Sequence, residues 1–140
     1  MSARRAPDHL TPEIRAFLRE RRFAVLATIN PDGTPHLSPV WYDLQGKEVM
    51  MNTRRGRRKD RNMRRDPRVT FSVEDGYRYV TLTGSVELID EESVAQTDIR
   101  RLAARYEGDE DADRRMREQF SREPRVTMRM RIQQAFQEGF

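Results

Sequence analysis

Three turn signals, Asn30-Pro31-Asp32-Gly33, Gln45-Gly46 and Asp75-Gly76, stand between short apolar runs and constrain the fold more than any other feature. Connections this short join antiparallel neighbours, because a parallel crossover needs about a dozen residues or more. The runs between them read as strands. Residues 23–29 (FAVLATI) are apolar on both faces, as in a buried strand. The return over residues 34–42 contains Pro35 and Pro39, which donate no ladder hydrogen bond and so mark an edge, a bulge or an opening where a ligand can approach. Residues 48–53 form a third strand, and Val69, Phe71 and Val73 the inward face of a fourth. The fifth is long, with Val80, Leu82, Gly84, Val86 and Leu88 on its core face and Tyr77, Tyr79, Thr81, Thr83 and Ser85 on the other. A sixth alternates strictly from Arg125 to Ile132 and puts Val126, Met128, Met130 and Ile132 together. Six strands with few helices predict a mainly β (α+β) fold, an antiparallel barrel with short flanking helices.

The helices are few and amphipathic. Thr11-Pro12-Glu13 is a helix start, with a capping hydroxyl, a proline at the first helical position and an acid at the positive dipole end. Ile14, Phe17 and Leu18 then form one apolar stripe, and the helix ends near Arg22. Asp90 caps a helix carrying Val94, Ile99, Leu102, Ala103 and Tyr106; a more polar one within 108–123 is anchored by Met116 and Phe120. Residues 1–10 lack periodicity and read as a flexible tail before a single domain over 11–140. Only 36% of the chain is hydrophobic, so the core is thin and burial against a second copy is favourable. No apolar run approaches the roughly 20 residues that span a bilayer, and the start MSARRAP lacks the apolar centre of a secretion signal. A cytoplasmic protein without membrane contact is expected. The absence of cysteine excludes disulfides, thiol chemistry and thiolate metal sites, and His9 and His36 are too few for most histidine-based metal clusters. No metal is expected, and any redox chemistry must come from an organic cofactor.

Charge is concentrated in one place. Nine of the fifteen residues from Arg54 to Arg68 are basic, against only Asp60 and Asp66. A strand end with a hydroxyl, Thr53, runs here into Gly56 and a helix whose apolar face is little more than Met63. Backbone N–H groups at a helix start, a hydroxyl donor and arginine forks suit a phosphate. A solvated arginine-rich helix and a nucleic-acid surface fit the same composition. His36 has no paired acid at useful spacing and reads as structural.

The combination of Phe23–Gly33, Ser38-Pro-Val-Trp-Tyr42 and the block from Asn52 to Val69 resembles the pyridoxamine 5'-phosphate oxidase-like split barrels. More narrowly, it is similar to the branch that uses the deazaflavin coenzyme F-420. The likeness covers residues 14–106, and the Asn52–Val69 block is its most specific part. It implies a split barrel working as a homodimer, with the cofactor at the subunit interface and hydride transfer to or from a small electron-poor organic substrate. It also implies a phosphate site at Asn52, Thr53, Arg57, Arg58, Lys59 and Asn62, with Arg57 and Lys59 foremost. Ser38, Pro39 and Val40 are implied ring contacts, and Tyr77 and Tyr79 would reach a cofactor held by the other subunit. Trp41 reads as core or interface. The arginines beyond the matched ones, Arg54, Arg55 and Arg58, suit either the polyglutamate tail of F-420 or solvent. FMN in place of F-420, and a non-catalytic flavin- or haem-binding module, are the alternatives. The ending Gln137-Glu-Gly-Phe140 departs from the glycine-aromatic and proline-containing end of many relatives.

Overall fold

The structure, a computed structural model, describes residues 9–140. Helix α1 (Pro12–Arg19) is followed by strands β1 (Ala24–Ile29), β2 (Pro35–Val40), β3 (Asp43–Gln45) and β4 (Glu48–Arg54). Then come α2 (Arg58–Arg65), β5 (Arg68–Asp75), β6 (Arg78–Ile89), α3 (Glu92–Glu107), α4 (Asp109–Glu118), a 3-10 turn (Phe120–Arg122) and β7 (Arg125–Glu138). All strands pair antiparallel in one sheet of order β2-β1-β5-β6-β7-β4-β3. Its unpaired edges, β2 and β3, are consecutive in the chain and joined through Trp41 and Tyr42, so the sheet comes round on itself without closing. This is a split barrel of seven strands, one more than expected. The extra strand is β3, which lies beyond the expected return over 34–42: that return ends at Val40, and Asp43–Gln45 pairs with β4 across the turn at Gly46.

The core lies inside the curve of the sheet, where Leu26, Phe71, Val73, Val80, Leu82, Met128 and Met130 are buried. Thr11 caps α1 as expected, its Oγ1 accepting from the N–H of Ile14 at 3.1 Å, and Ile14, Phe17 and Leu18 close the barrel. Leu10 packs into the same core, so the folded unit begins before Thr11; residues 1–8 of the expected tail lie outside the described residues. Tyr42 is fully buried, donates to the carbonyl of Leu18 at 2.8 Å, and meets Phe71 edge-on at 5.0 Å.

Three further expectations need correction. Residues 23–29 are not buried on both faces: Ala24, Leu26 and Thr28 point inward, while Phe23 and Val25 are exposed on the outside of the sheet. The last strand does not stop at Ile132 but runs to Glu138, because a bulge between Thr83 and Gly84 lets it follow β6 to the end. Gly84 is required there, since a Cβ at that position would fall on the carbonyl oxygen of Arg131. Asp90 does not cap α3; Glu91 is the cap residue and makes no side-chain cap bond. Asp90 instead binds Arg64 through both carboxylate oxygens, at 2.9 and 2.6 Å, and ties α2 to the end of β6.

Helix α3, backed by α4, covers the far side of β4 and of the first part of β7, whose residues Arg125–Met128 are therefore buried on both faces. A second apolar cluster of Ile99, Ala103, Ala112 and Phe120, with Trp41 and Met116 against it, fills that layer.

Candidate functional site

The ends of β2 and β4, the start of β7 and the helical layer enclose a cavity of about 320 Å³ at the split of the barrel. Five cationic side chains line it, Arg54, Arg57, Lys59, Arg115 and Arg125, and no acid among the described residues does. The strand-to-helix junction explains how three of them arrive. Gly56, with φ 88°, turns the chain out of β4 in a conformation that L side chains rarely adopt. Asp60, buried in the first turn of α2, accepts from the N–H of Gly56 at 2.8 Å and from Nε of Arg64 at 2.8 Å. This locks the loop so that Arg57 and Lys59 face the cavity.

Pairing sorts the basic residues of the segment. Arg55 is bound to Asp90 and Glu92, Arg64 to Asp60 and Asp90, and Arg68 to Asp66. Arg61 donates to the carbonyl of Gly56 at 2.7 Å, and Arg65 to the carbonyl of Ile29 and to Asn62. Arg54 lies 3.9 Å from Glu123. Among the described residues, Arg57, Arg58 and Lys59 have no acidic partner, and the nearest hydrogen-bonding group to Lys59 Nζ is Ser38 Oγ at 3.5 Å. Burial, with Arg57 and Arg125 close by, pushes the Lys59 ammonium down to about 8 from its ordinary value near 10.5. A half-buried ammonium with two guanidinium groups near it is unfavourable until an anion joins Lys59 and Arg57. The donor set therefore fits a phosphate: two unpaired cations, and the hydroxyl of Thr53, which is 3% exposed and has no side-chain bond among the described residues.

The other expected site residues are placed as follows. Pro39 and Val40 line the same cavity, and Ser38 lines a second one of about 320 Å³ beside it with His36, Arg57, Arg58 and Lys59. Asn52 lines the cavity, but its amide is occupied: it accepts from Arg125 Nε at 2.9 Å and donates to the carbonyl of Ala95 at 2.9 Å and to Thr127 at 3.3 Å. Asn62 is 2% exposed and donates to Thr28 and Asn30, both at 3.1 Å, which fastens α2 to β1. Tyr77 is 95% exposed and Tyr79 packs near Phe136, with neither lining this cavity.

Sequence reasoning missed Arg125, Arg115 and Trp41 as cavity residues. Arg125 is 7% exposed at the head of β7, and burial lowers its pKa while Glu123, at 2.7 Å, opposes the shift. The alternating pattern of the last strand holds a signal for it: Arg125 and Thr127 share the face opposite Val126 and Met128, and α3 buries that face too. Trp41 stacks on Tyr106 at 5.3 Å and 9°, and its ring forms one wall.

An open antiparallel sheet with a cation-walled cavity at its split defines an oxidoreductase-like split-barrel protein. The chain belongs to the pyridoxamine 5'-phosphate oxidase family, whose model matches residues 10–138. Among solved structures it is similar to a conserved hypothetical protein of Mycobacterium tuberculosis, at 30% identity over 97% of this chain and 89% of that one, with a TM-score of 0.76. It is similar to an F-420 reductase at 25% identity over 94% and 98% of the two chains, with a TM-score of 0.71. The fold is shared also with the haem storage protein HutZ of Vibrio cholerae, at 22% identity over 94% and 96%, with a TM-score of 0.71. Among the described residues no helix is long and apolar enough to cross a membrane.

Proposed function

We propose that the protein is a deazaflavin-dependent oxidoreductase whose cavity at the barrel split holds the phosphate of coenzyme F-420. The reading is carried by the pairing pattern: Arg57 and Lys59 face the cavity without an acid, while most of the arginines around them are bound to protein groups. The similarity to an F-420 reductase supports the choice of cofactor. Lys59 and Arg57 supply the charge, Thr53 donates its hydroxyl, and Arg58 sits at the rim with Ser38 and His36. Pro39 and Val40 offer an apolar edge to the ring. Asn52 and Asn62 act by positioning Arg125 and α2. When bound, the deazaflavin supplies the hydride chemistry, and the protein contributes orientation and electrostatics.

The working unit in this reading is a homodimer. Val25 and Leu37 are 43% and 62% exposed, and Val25 lies opposite Pro39 and Leu37 opposite Ala27 in the β1–β2 register, an apolar outer face suited to a second copy. The exposed Tyr77 would then reach the partner subunit's cofactor.

A fluorescence titration with F-420 and with FMN, each at low and high salt, tests the assignment. F-420 is expected to bind at micromolar concentrations, with Arg57→Ala plus Lys59→Ala weakening it more than tenfold. Absence of F-420 binding would refute it. The same phosphate cradle accepts FMN; tighter FMN binding and a yellow purified protein would make FMN the cofactor.

A further inference from the structure

We infer that Arg125 is a carboxylate grip separate from the phosphate cradle, and that the molecule brought to the cofactor is a planar organic carboxylate lying against Trp41. The inference rests on the cofactor reading above and names the substrate class of that site.

The guanidinium of Arg125 is held on two sides. Nε donates to Asn52 Oδ1 at 2.9 Å and Nη1 to Glu123 Oε1 at 2.7 Å, which leaves Nη2 without a partner among the described residues in a side chain that lines the cavity. Nη2 is not one of the buried unpartnered atoms, so it opens to the cavity, where a ligand acceptor can meet it. Its orientation is fixed by a buried chain of polar groups. Asn52 is anchored to Thr127, and the Thr127 hydroxyl donates to Asp98 Oδ2 at 2.8 Å; all three residues are less than 9% exposed. Such a chain runs from α3 through β7 to β4 and holds the guanidinium in place before any ligand arrives.

The chemistry left over at Arg125 selects the anion. Glu123 already neutralises one side, and a single terminal nitrogen remains. That suits a monoanionic carboxylate better than a phosphate dianion, which calls for a free fork or several cations. Two unpaired cations of that kind are found at Arg57 and Lys59 instead.

The wall beside Arg125 selects the shape. Trp41 is backed by Tyr106 and meets Phe120 edge-on at 6.5 Å. Arg125 and Arg115 lie over the Phe120 ring, at 4.8 and 5.4 Å from its centroid. The Arg115 guanidinium also lies over the Trp41 ring, 5.9 Å from its centroid, and this aromatic and cationic wall next to Arg125 matches a flat ring bearing one acid group.

Benzoate and benzamide share size and ring but differ in charge, and Trp41 is the sole tryptophan of the chain, so its emission reports binding at this wall. Calorimetry and Trp41 fluorescence on the full chain, with and without F-420, should show benzoate binding at least tenfold tighter than benzamide. Arg125→Gln should bring the ratio below twofold with benzamide affinity unchanged, and Arg125→Lys should restore part of the preference. Asn52→Ala should lower the ratio without removing it, the mark of a positioning residue. Equal wild-type affinities for the two probes would overturn the inference, and they are read without any substitution, so a variant that fails to fold cannot obscure the result. A preference for phenyl phosphate over benzoate that Arg125→Gln abolishes would overturn the carboxylate assignment. If neither F-420 nor FMN binds while the benzoate preference stands, the cofactor reading fails and the grip at Arg125 is upheld.

Discussion

Raising the pH should switch off phosphate binding through a single residue, Lys59. Burial and the nearby Arg57 and Arg125 bring its ammonium down to about 8 in the folded protein. A bound phosphate dianion would favour the charged form and return the pKa toward or above its ordinary value near 10.5. The sign follows from proton counts. Below pH 8 free and bound protein both carry the proton, and affinity is flat; above pH 8 binding must take up a proton, and affinity falls by up to tenfold per pH unit. At pH 9.5 the dissociation constant should be about thirtyfold higher than at pH 7. FMN is a convenient probe, because its phosphate is already a dianion above pH 7.5, with a second pKa of about 6. Quenching of its fluorescence, read from pH 7 to 9.5 at constant ionic strength, gives the profile. Lys59→Arg keeps the charge and removes the titration, so its profile should be flat. A flat wild-type profile, or the same decline in Lys59→Arg, would refute the placement of Lys59 against the phosphate.

The unliganded protein bears the cost of the same crowding. Its stability should rise as pH goes from 8 to 10.5, because the unfolded chain then holds a proton that native Lys59 has lost; Lys59→Met should stabilise it at pH 7 by about 1–2 kcal/mol, after discounting for partial exposure, while weakening phosphate binding more than tenfold. Thermal melts of the two proteins check this. Gly84→Ala should cost more than about 3 kcal/mol in urea unfolding, because the new Cβ meets the backbone of Arg131 rather than a side chain that can move. Leu37→Asp should convert a dimer to monomer in light scattering, by putting a charge on the apolar face of β1 and β2; an unchanged mass would remove that face from the interface.

Much of the barrel was legible because its signals are local. Turn chemistry at Asn30–Gly33 and Asp75-Gly76, and period-two alternation in β5, β6 and β7, depend on residues within a few positions of one another. The hydroxyl of Thr11 identified a cap for the same reason, and the density of basic residues from Arg54 to Arg68 located the candidate site. What the pattern could not say is which arginine is free. Arg57 and Arg64 are chemically identical in sequence; only the fold brings Asp90 to one and no acid to the other. Asp90 looked like a cap and became an ion-pair partner because the end of β6 returns to α2. Arg125 is buried because α3, some thirty residues earlier in the chain, covers the second face of β7. The sequence by itself thus determined six of the seven strands, their turns and the place where charge collects. The tertiary structure decided which charges are neutralised, since that depends on distances between residues far apart in the chain, which local patterning does not encode.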